Sequence, residues 1–380
     1  MTSDMRNVDV AVIGAGLAGT CAASVLAKAG YATALIDPRG VYPHDFRAEK
    51  LGQPQMDQFE RLGVGASAAS VTTPVDEVTV VRFGTLIRRE RRREYGISYT
   101  NLVNRLRADL PGGSALTVGR IDDILPGGDR RTVVLADGRR ISARLVVIAT
   151  GLGDAVRRKV GISRTSISPR HSLSIGFDMR APRRDFPFQS LTYYAESFGM
   201  AAAYLTLFPL GDTMRANLFA YREPGDAWTR AFASAPSEGL AALLPRLRRL
   251  CPDLAVAGAV EVRPIDLVRA EDPARDGVVL IGDAYLNTCP IPGTGIGKVL
   301  VDVERLCRVY VPRWMDLPNI DRAATADFYA DPVKAASDAE SLRASVYARA
   351  IGTATGLPWK ARRMRNYVGR HVIDALCPAR

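Results

Sequence analysis

Two apolar runs frame this chain. Val8 to Ile13 is apolar at every position except Asp9, the pattern of a strand buried on both faces. Leu17 to Ala29 is Ala-rich and reads as a helix, Gly30 ends it, and Tyr31 to Ile36 is a second strand closing at Asp37. Far along the chain, Val278 to Ile281 is another buried strand, and Ile296 to Leu306 is a helix with Asp302 and Leu306 a turn apart. Between these units lie β-rich runs at Leu173 to Met179, Leu191 to Glu196, Ala202 to Phe208 and Met214 to Tyr221, punctuated by Pro209-Leu210-Gly211-Asp212. Asp226 to Ala233 and Gly239 to Cys251 read as helical, as does most of the chain past Pro318, with a break at Pro358.

The turns beside the two apolar runs carry the chemistry. Gly14-Ala15-Gly16-Leu17-Ala18-Gly19 lets the backbone turn sharply and approach a pyrophosphate, with the following helix presenting its positive end. Asp37 stands where a carboxylate accepts from the adenosine ribose. An acid there favours a free ribose over a 2′-phosphate, so the dinucleotide expected is FAD or NAD rather than NADP. The second turn, Gly282-Asp283-Ala284 followed by Pro290, Pro292, Gly293 and Gly295, decides for a flavin. Asp283 accepts from a polyol hydroxyl, the prolines stiffen the approach, and the small residues bring the helix start at Ile296 against a flat ring.

The architecture expected is α/β, an α+β two-domain flavoprotein. A Rossmann-like FAD-binding domain is interleaved with an antiparallel-sheet substrate domain and a helical C-terminus. The cofactor segments fall at roughly 1–70, 97–160 and 260–310, the sheet domain at 71–96 and 161–259, and the helical region at 311–380. No linker or repeat divides the 380 residues.

Composition narrows the partners. Lys plus Arg number 51 against 40 Asp plus Glu, a net charge of +11, which raises nucleic acid and anionic membranes. The cluster Arg88-Arg89-Glu90-Arg91-Arg92-Arg93-Glu94 alternates with acids and reads as a solvated hairpin; no nucleic-acid motif accompanies it. Trp359 to Val372 places Met364, Tyr367, Val368, His371 and Val372 at helical spacing beside Arg362, Arg363, Arg365 and Arg370. A terminal helix packed on its own domain is favoured over weak peripheral contact with an anionic membrane. No segment has the apolar length of a spanning helix, and a cytoplasmic protein is expected. Cys21, Cys251, Cys289, Cys307 and Cys377 are scattered, as in a reducing compartment. Cys289 precedes the proline-glycine turn, with packing as its expected role. His44, His171 and His371 have no metal-site spacing, no G-x-S-x-G elbow occurs, and no metal is expected. Catalytic side chains stay unassigned, as expected where a cofactor carries the chemistry.

Taken together, these stretches resemble FAD-dependent monooxygenases of the para-hydroxybenzoate hydroxylase type, which are related to geranylgeranyl reductases. The resemblance rests on the first turn with Asp37, on Gly282 to Leu306, on Phe46-Arg47-Ala48-Glu49-Lys50-Leu51 with Leu62-Gly63, and on Ala149 to Arg157. It implies cofactor contacts from Arg47, Glu49 and Gly151, added to Gly14, Gly16, Leu17, Ala18, Gly19, Asp37, Gly282, Asp283, Pro290, Gly293, Gly295 and Ile296. The chain also departs from the family pattern. Thr150 replaces the usual aspartate and Asp154 the usual serine of the Ala149 to Arg157 stretch, the third of these motifs in chain order, which puts efficient NAD(P)H use in doubt. Leu286 replaces a common histidine and Gly297 an asparagine, and Tyr99 stands where many members place a flavin-contacting arginine. Arg105 is a candidate replacement from the next helical turn.

The resemblance implies transfer of one oxygen atom from a flavin C4a-hydroperoxide to an apolar or aromatic small molecule, with NADPH or NADH as transient reductant. Tyr193, Tyr194, Phe208 and Pro290, with the run Tyr204 to Pro209, are the candidate pocket. Two alternatives stay open: a reductase of isoprenoid double bonds, loosely suggested by Phe208-Pro209-Leu210-Gly211, and a flavin-binding protein without turnover. The partners expected are a small apolar or aromatic substrate and molecular oxygen, without nucleic acid; a homodimer stays open.

Overall fold

The structure, a computed structural model, describes residues 5–365 except 48, 113, 198 and 252. Along the chain run Met5–Ile13 (β1), Leu17–Lys28 (α1), Thr33–Asp37 (β2), Lys50–Gly52 (β3), Gln53–Arg61 (α2) and Gly65–Ala69 (α3). Thr72–Arg82 (β4), Thr85–Ile97 (β5), Tyr99–Ala108 (α4), Leu116–Val118 (β6), Ile121–Leu125 (β7), Arg131–Leu135 (β8), Arg140–Ile148 (β9) and Ala155–Lys159 (α5) follow. Then come Arg164–Pro182 (β10), Ser190–Tyr194 (β11), Ala202–Leu210 (β12), Thr213–Ala220 (β13), Ala227–Ser234 (α6), Pro236–Leu243 (α7) and Val256–Ala270 (β14). Val278–Leu280 (β15), Leu286–Asn287 (β16), Gly295–Arg305 (α8), Val311–Met315 (α9), Arg322–Ala330 (α10) and Pro332–Thr353 (α11) complete it.

Among the described residues, β6-β2-β1-β9-β8-β7 form one sheet, with β15 also beside β9. The pairs β6–β2, β2–β1, β1–β9 and β9–β15 are parallel. Val10 and Val12 point into a core shared with α1 and α8, while Ala11 and Ile13 point into a second core with Ile36 and Val146. Burial on both faces explains the uninterrupted apolar run.

The second sheet has the order β16-β14-β10-β13-β12-β11-β4-β5-β3. Its β4–β5 hairpin turns at Phe83 and Gly84, with φ of 51° and 72°, a two-residue turn of the kind that matches strand twist. The arginine cluster lies on β5 and is laced by Arg88–Glu90 and Arg92–Glu94 ion pairs. One face of the sheet is apolar: Ile175, Phe177, Leu205, Leu218 and Tyr193 pack with Phe232 of α6 and Leu240 of α7. The other face, carrying Ser174, Thr206, Arg215 and Asn217, turns toward the loop before β3: Arg215 pairs with Glu49 at 2.8 Å.

Two placements differ from the sequence expectation. Residues 260–270 were expected with the cofactor segments, yet they belong to β14, which pairs with β10 along most of its length. Lys50–Gly52 likewise adds an edge strand, β3, to the second sheet through β5. Neither run is apolar enough to reveal its sheet. The part of the basic C-terminal segment beyond 365, with Tyr367, Val368, Arg370, His371 and Val372, lies outside the described residues, as does Cys377. No helix among the described residues is long and apolar enough to cross a membrane.

Candidate functional site

A cleft of about 710 Å³ opens at the C-terminal ends of β1, β2, β9 and β15, within the usual range of about 300–1,000 Å³ for small-molecule sites. Gly14, Gly16, Leu17, Ala18, Asp37, Arg47, Gly151 and Asp283 all line it. Three of these strands, β1, β9 and β15, run into glycine turns at Gly14, Gly151 and Gly282. Gly14 has φ of +99°, and a Cβ on it would lie 2.6 Å from the Ala149 carbonyl oxygen. Gly19 stands behind the turn, where a Cβ would meet the Gly14 oxygen at 1.9 Å. Gly16 caps α1 without a side chain, leaving the helix's first N–H groups to face the cleft.

Asp37 organises the outer end. Its Oδ2 accepts from Ala15 N at 2.9 Å and its Oδ1 from Arg39 N at 2.9 Å. Arg107, nearly buried, donates through Nε to Ala15 O at 2.7 Å and through Nη1 to Arg39 O at 2.9 Å, and its Nη2 lies 3.4 Å from Asp37. Arg105, the candidate replacement from the next helical turn, turns outward to Asp109 at 2.7 Å. Two positions along α4 rotate a side chain by about 200°, slightly more than a half-turn, so Arg107 lies inward. No local pattern marks Arg107, because its direction depends on how α4 packs on α1.

Midway along the cleft, Arg47 joins two acids, Asp45 at 2.5 Å and Asp283 at 3.0 Å. Burial opposes the Arg47 charge, yet Tyr99, Asp283 and Asp45 outweigh it and raise its pKa. Burial pushes the Asp45 carboxyl up, and Arg47, Tyr42 and Arg263 together hold it below its ordinary value. Tyr99 sits 5.7 Å beneath the Arg47 guanidinium, its phenol pushed up to about 12 mainly by burial. The Asp283 carbonyl accepts from Arg164 at 3.1 Å, and Arg164 also holds the carbonyls of Gly151 and Leu152.

The second turn is anchored from below. Gly282, with φ of +61°, donates its N–H to Asp302 Oδ2 at 2.8 Å. Asp302 is fully buried and also meets Lys334 at 2.8 Å and Lys298 at 3.3 Å, while Asp338 takes both lysines at 2.9 and 3.2 Å. Two buried cations and two buried acids thus tie α8 to α11 directly under Asp283. Burial pushes the Asp302 carboxyl up, and Lys298 and Lys334 bring it below its usual value.

Several expected contacts lie elsewhere. Glu49 does not line the cleft; it is buried against Arg215, and burial raises its pKa. Gly282, Pro290, Gly293, Gly295 and Ile296 also stand outside its lining. The Gly293 carbonyl accepts from Gln55 at 3.3 Å, and Ile296 packs in the α1–α8 core. Asp154, the unusual residue of the third motif, is held by Arg157, Arg158 and Arg164, and Thr150 donates to the Gly153 carbonyl. Cys289 is buried beside Ser172 at 3.3 Å. His44 is exposed and pairs with Glu261, and His171 is buried between Ser168 and the Ser345 carbonyl. No group of residues able to hold a metal occurs among the described residues.

The expected pocket divides. Adjacent strand residues point to opposite faces. Tyr193 is therefore buried in the α6–α7 core, donating to Glu196 at 2.6 Å, while Tyr194 lines a cavity on the other side. Phe208 is fully buried and lines neither cavity. Ile291, next to Pro290, reaches the same cavity as Tyr194.

The donor set fits FAD: helix N–H groups and Arg39, Arg47 and Arg120 at the cleft suit a pyrophosphate, and Asp37 and Asp283 suit the hydroxyls at either end. Comparison agrees. Residues 7–119 match the family described as FAD binding domain. No curated protein matches the chain by sequence. Among solved structures, p-nitrophenol 4-monooxygenase PnpA from Pseudomonas putida DLL-E4 aligns with a TM-score of 0.74 and 16% identity, over 97% of this chain and 94% of its own. A variant of HpxO from Klebsiella pneumoniae, complexed with FAD, gives 0.73 and 18% over 98% of each chain. PqsL from P. aeruginosa, in complex with 2-aminobenzoylacetate, gives 0.68 and 19% over 91% of this chain and 95% of its own. Residues 7–119 therefore match an FAD-binding domain, and the chain as a whole has the fold of these solved structures.

Proposed function

We propose that this protein is an FAD-dependent monooxygenase that inserts one oxygen atom into a small apolar or aromatic substrate, with NADPH or NADH as reductant. The observation that carries the reading is the single cleft that brings Gly14, Asp37, Arg47, Gly151 and Asp283 together from four distant stretches of sequence. When bound, FAD supplies the oxygen activation that no side chain here provides. The chain's own residues bind and orient. The α1 N-terminus and the arginines receive the pyrophosphate, and Asp37 and Asp283 fix the two polyhydroxylated ends. Asp302 holds the turn that presents Asp283. The cavity at Ile291 and Tyr194 is the candidate place for the substrate.

A second reading, a partner-reduced FAD enzyme that saturates isoprenoid double bonds, is favoured by one observation. Both unusual residues of the third motif are occupied, Asp154 by three arginines and Thr150 by a carbonyl, so neither offers a carboxylate to a nicotinamide.

The test is anaerobic mixing of the FAD-loaded protein with NADH or NADPH, with and without aromatic candidates, followed by oxygen. Flavin bleaching that depends on substrate, with labelled oxygen recovered in product, is the expected result. Bleaching without oxygen transfer refutes the monooxygenase reading, and no bleaching under any condition favours the partner-reduced enzyme.

A further inference from the structure

We propose that the helix beginning at Leu357 is a docking surface for an anionic lipid bilayer and lies flat on it. The inference goes beyond the oxygenase reading and does not depend on it. Residues 357–365 are helical. At about 100° per residue, Trp359 and Arg363 fall on one side and Leu357, Ala361 and Met364 on the other. The first side is packed. Trp359 tilts on Tyr347 of α11 at 6.1 Å, Arg362 lies over both rings, and Arg363 donates to the carbonyls of Ile351 and Ala354 at 3.1 and 2.7 Å. The second side is bare: Leu357 is 80% exposed and Met364 55%, with Ala361 exposed between them. Packing on its own domain, favoured from the sequence, accounts for only one face of this helix.

The surroundings of the apolar stripe identify its partner. Lys360 and Arg365, both exposed, fall on either flank of it, as in a helix lying in a membrane interface with its basic residues at the headgroups. From Ser341 to Ile373 the chain has seven arginines and lysines and no aspartate or glutamate, so most of the net charge of +11 is concentrated in this one stretch. A second copy of the chain would set these cations against each other, and a nucleic acid would leave Leu357 and Met364 in water. An anionic bilayer takes both the charge and the stripe.

Three apolar side chains are too few to hold a protein on a neutral surface. The basic residues supply the rest, each strengthening binding about fivefold near anionic headgroups. The same helix carries Arg363, which lines the cavity at Tyr194 and Ile291. A helix is about 10–12 Å across, so docking brings one wall of that cavity to within roughly that distance of lipid.

The experiment is cosedimentation of the purified full chain with vesicles of phosphatidylcholine alone and of phosphatidylcholine with one-third phosphatidylglycerol, at low and at high salt. The chain is expected to bind the mixed vesicles at least tenfold more tightly than the neutral ones and to be released by salt. Leu357→Ser with Met364→Ser, which removes the stripe and keeps every charge, should weaken that binding at least tenfold. Lys360→Gln with Arg365→Gln, which keeps the stripe, should weaken it about 25-fold. All four side chains are exposed, so both variants should melt at the parental temperature. Equal binding to the two kinds of vesicle, or binding to neither, overturns the proposal. So does a serine variant that binds as the parent does, since the patch is then a plain polyanion site, which competition by duplex DNA would assign to nucleic acid. A dimer in sedimentation equilibrium that the serine variant dissolves gives the stripe to a second copy and overturns it as well. Flavin content is read separately from absorbance, so loss of vesicle binding leaves the oxygenase reading standing, and a failure to take up FAD leaves this one.

Discussion

Replacing Asp302 by Asn tests whether the buried charge cluster under the second turn is what holds the cofactor site in shape. Asp302 is fully buried and meets Lys334 at 2.8 Å, Lys298 at 3.3 Å and the Gly282 N–H at 2.8 Å. The amide carbonyl of Asn can still accept from Gly282, so the change isolates the charge. It leaves two buried lysines with Asp338 alone. Breaking a buried pair by removing one partner costs about 3–5 kcal/mol, a large share of a stability of about 5–15 kcal/mol. Asp302→Ala also strands the Gly282 N–H, which adds about 1–3 kcal/mol. Lys334→Met alone should be nearly as harmful, but combined with Asp302→Asn it returns the cluster to one cation and one anion. The double variant should therefore be more stable than Asp302→Asn alone. Urea unfolding followed by tryptophan fluorescence gives the stabilities, and FAD titration shows whether Asp283 still sits correctly. Single variants within about 1 kcal/mol of the parent, or costs that simply add in the double variant, refute the reasoning.

Asp283→Ala should weaken FAD by roughly 10- to 100-fold, since a charged hydrogen bond contributes about 1.5–3 kcal/mol; Gly14→Val should abolish uptake, and FAD retained by both at parental affinity would misplace the site. Arg107→Met should weaken FAD while Arg105→Gln leaves it unchanged in the same titration, because only Arg107 braces Ala15 and Arg39. Asp331 caps α11 and binds Arg305 at 2.7 Å; burial pushes its carboxyl up, but Arg305, the capping N–H and Tyr310 hold it below the ordinary value. Its contribution is thus complete above the unfolded value of about 3.9 and lost as pH falls through the lower folded value, so Asp331→Asn should flatten the acid limb of stability against pH. Finally, reduction by NAD(P)H in stopped flow should be slow without substrate, given Thr150 and the engaged Asp154; fast substrate-independent reduction would contradict this.

The local units were legible because each announces itself by pattern. Val8 to Ile13, Leu17 to Ala29 and Val278 to Ile281 are predominantly apolar or Ala-rich, and they form most of β1, α1 and β15. Roles fixed by backbone, such as Gly14 at positive φ, follow from residue type alone. Side-chain direction was less accessible. Tyr193 and Tyr194 are chemically alike and adjacent, and only the strand's register decides which one meets the cavity. Glu49 carries the composition of a cofactor ligand, yet the edge strand it precedes turns it toward Arg215. The lysines of the buried cluster, Lys298 and Lys334, look like solvated helix residues in sequence, and their value depends on a meeting of α8 and α11 that no local pattern encodes.

The interleaving of the two sheets has a consequence for how the protein is made. Strand β15 pairs with β9 from more than a hundred residues downstream, and Asp37 and Asp283 meet at one cleft although all of the second sheet but β16 is threaded between them. At about 5–20 residues per second on the ribosome, the nascent chain waits on the order of 10 to 50 seconds between presenting its first glycine turn and its second. During that interval β9 has an open edge, and the apolar face destined for α8 is bare. An exposed strand edge invites foreign pairing. The cofactor cannot shorten this wait, since Asp283, which would hold one of its hydroxyl-bearing ends, is translated only when the interval is over, so yield in the cell should depend on chaperone supply rather than on flavin supply.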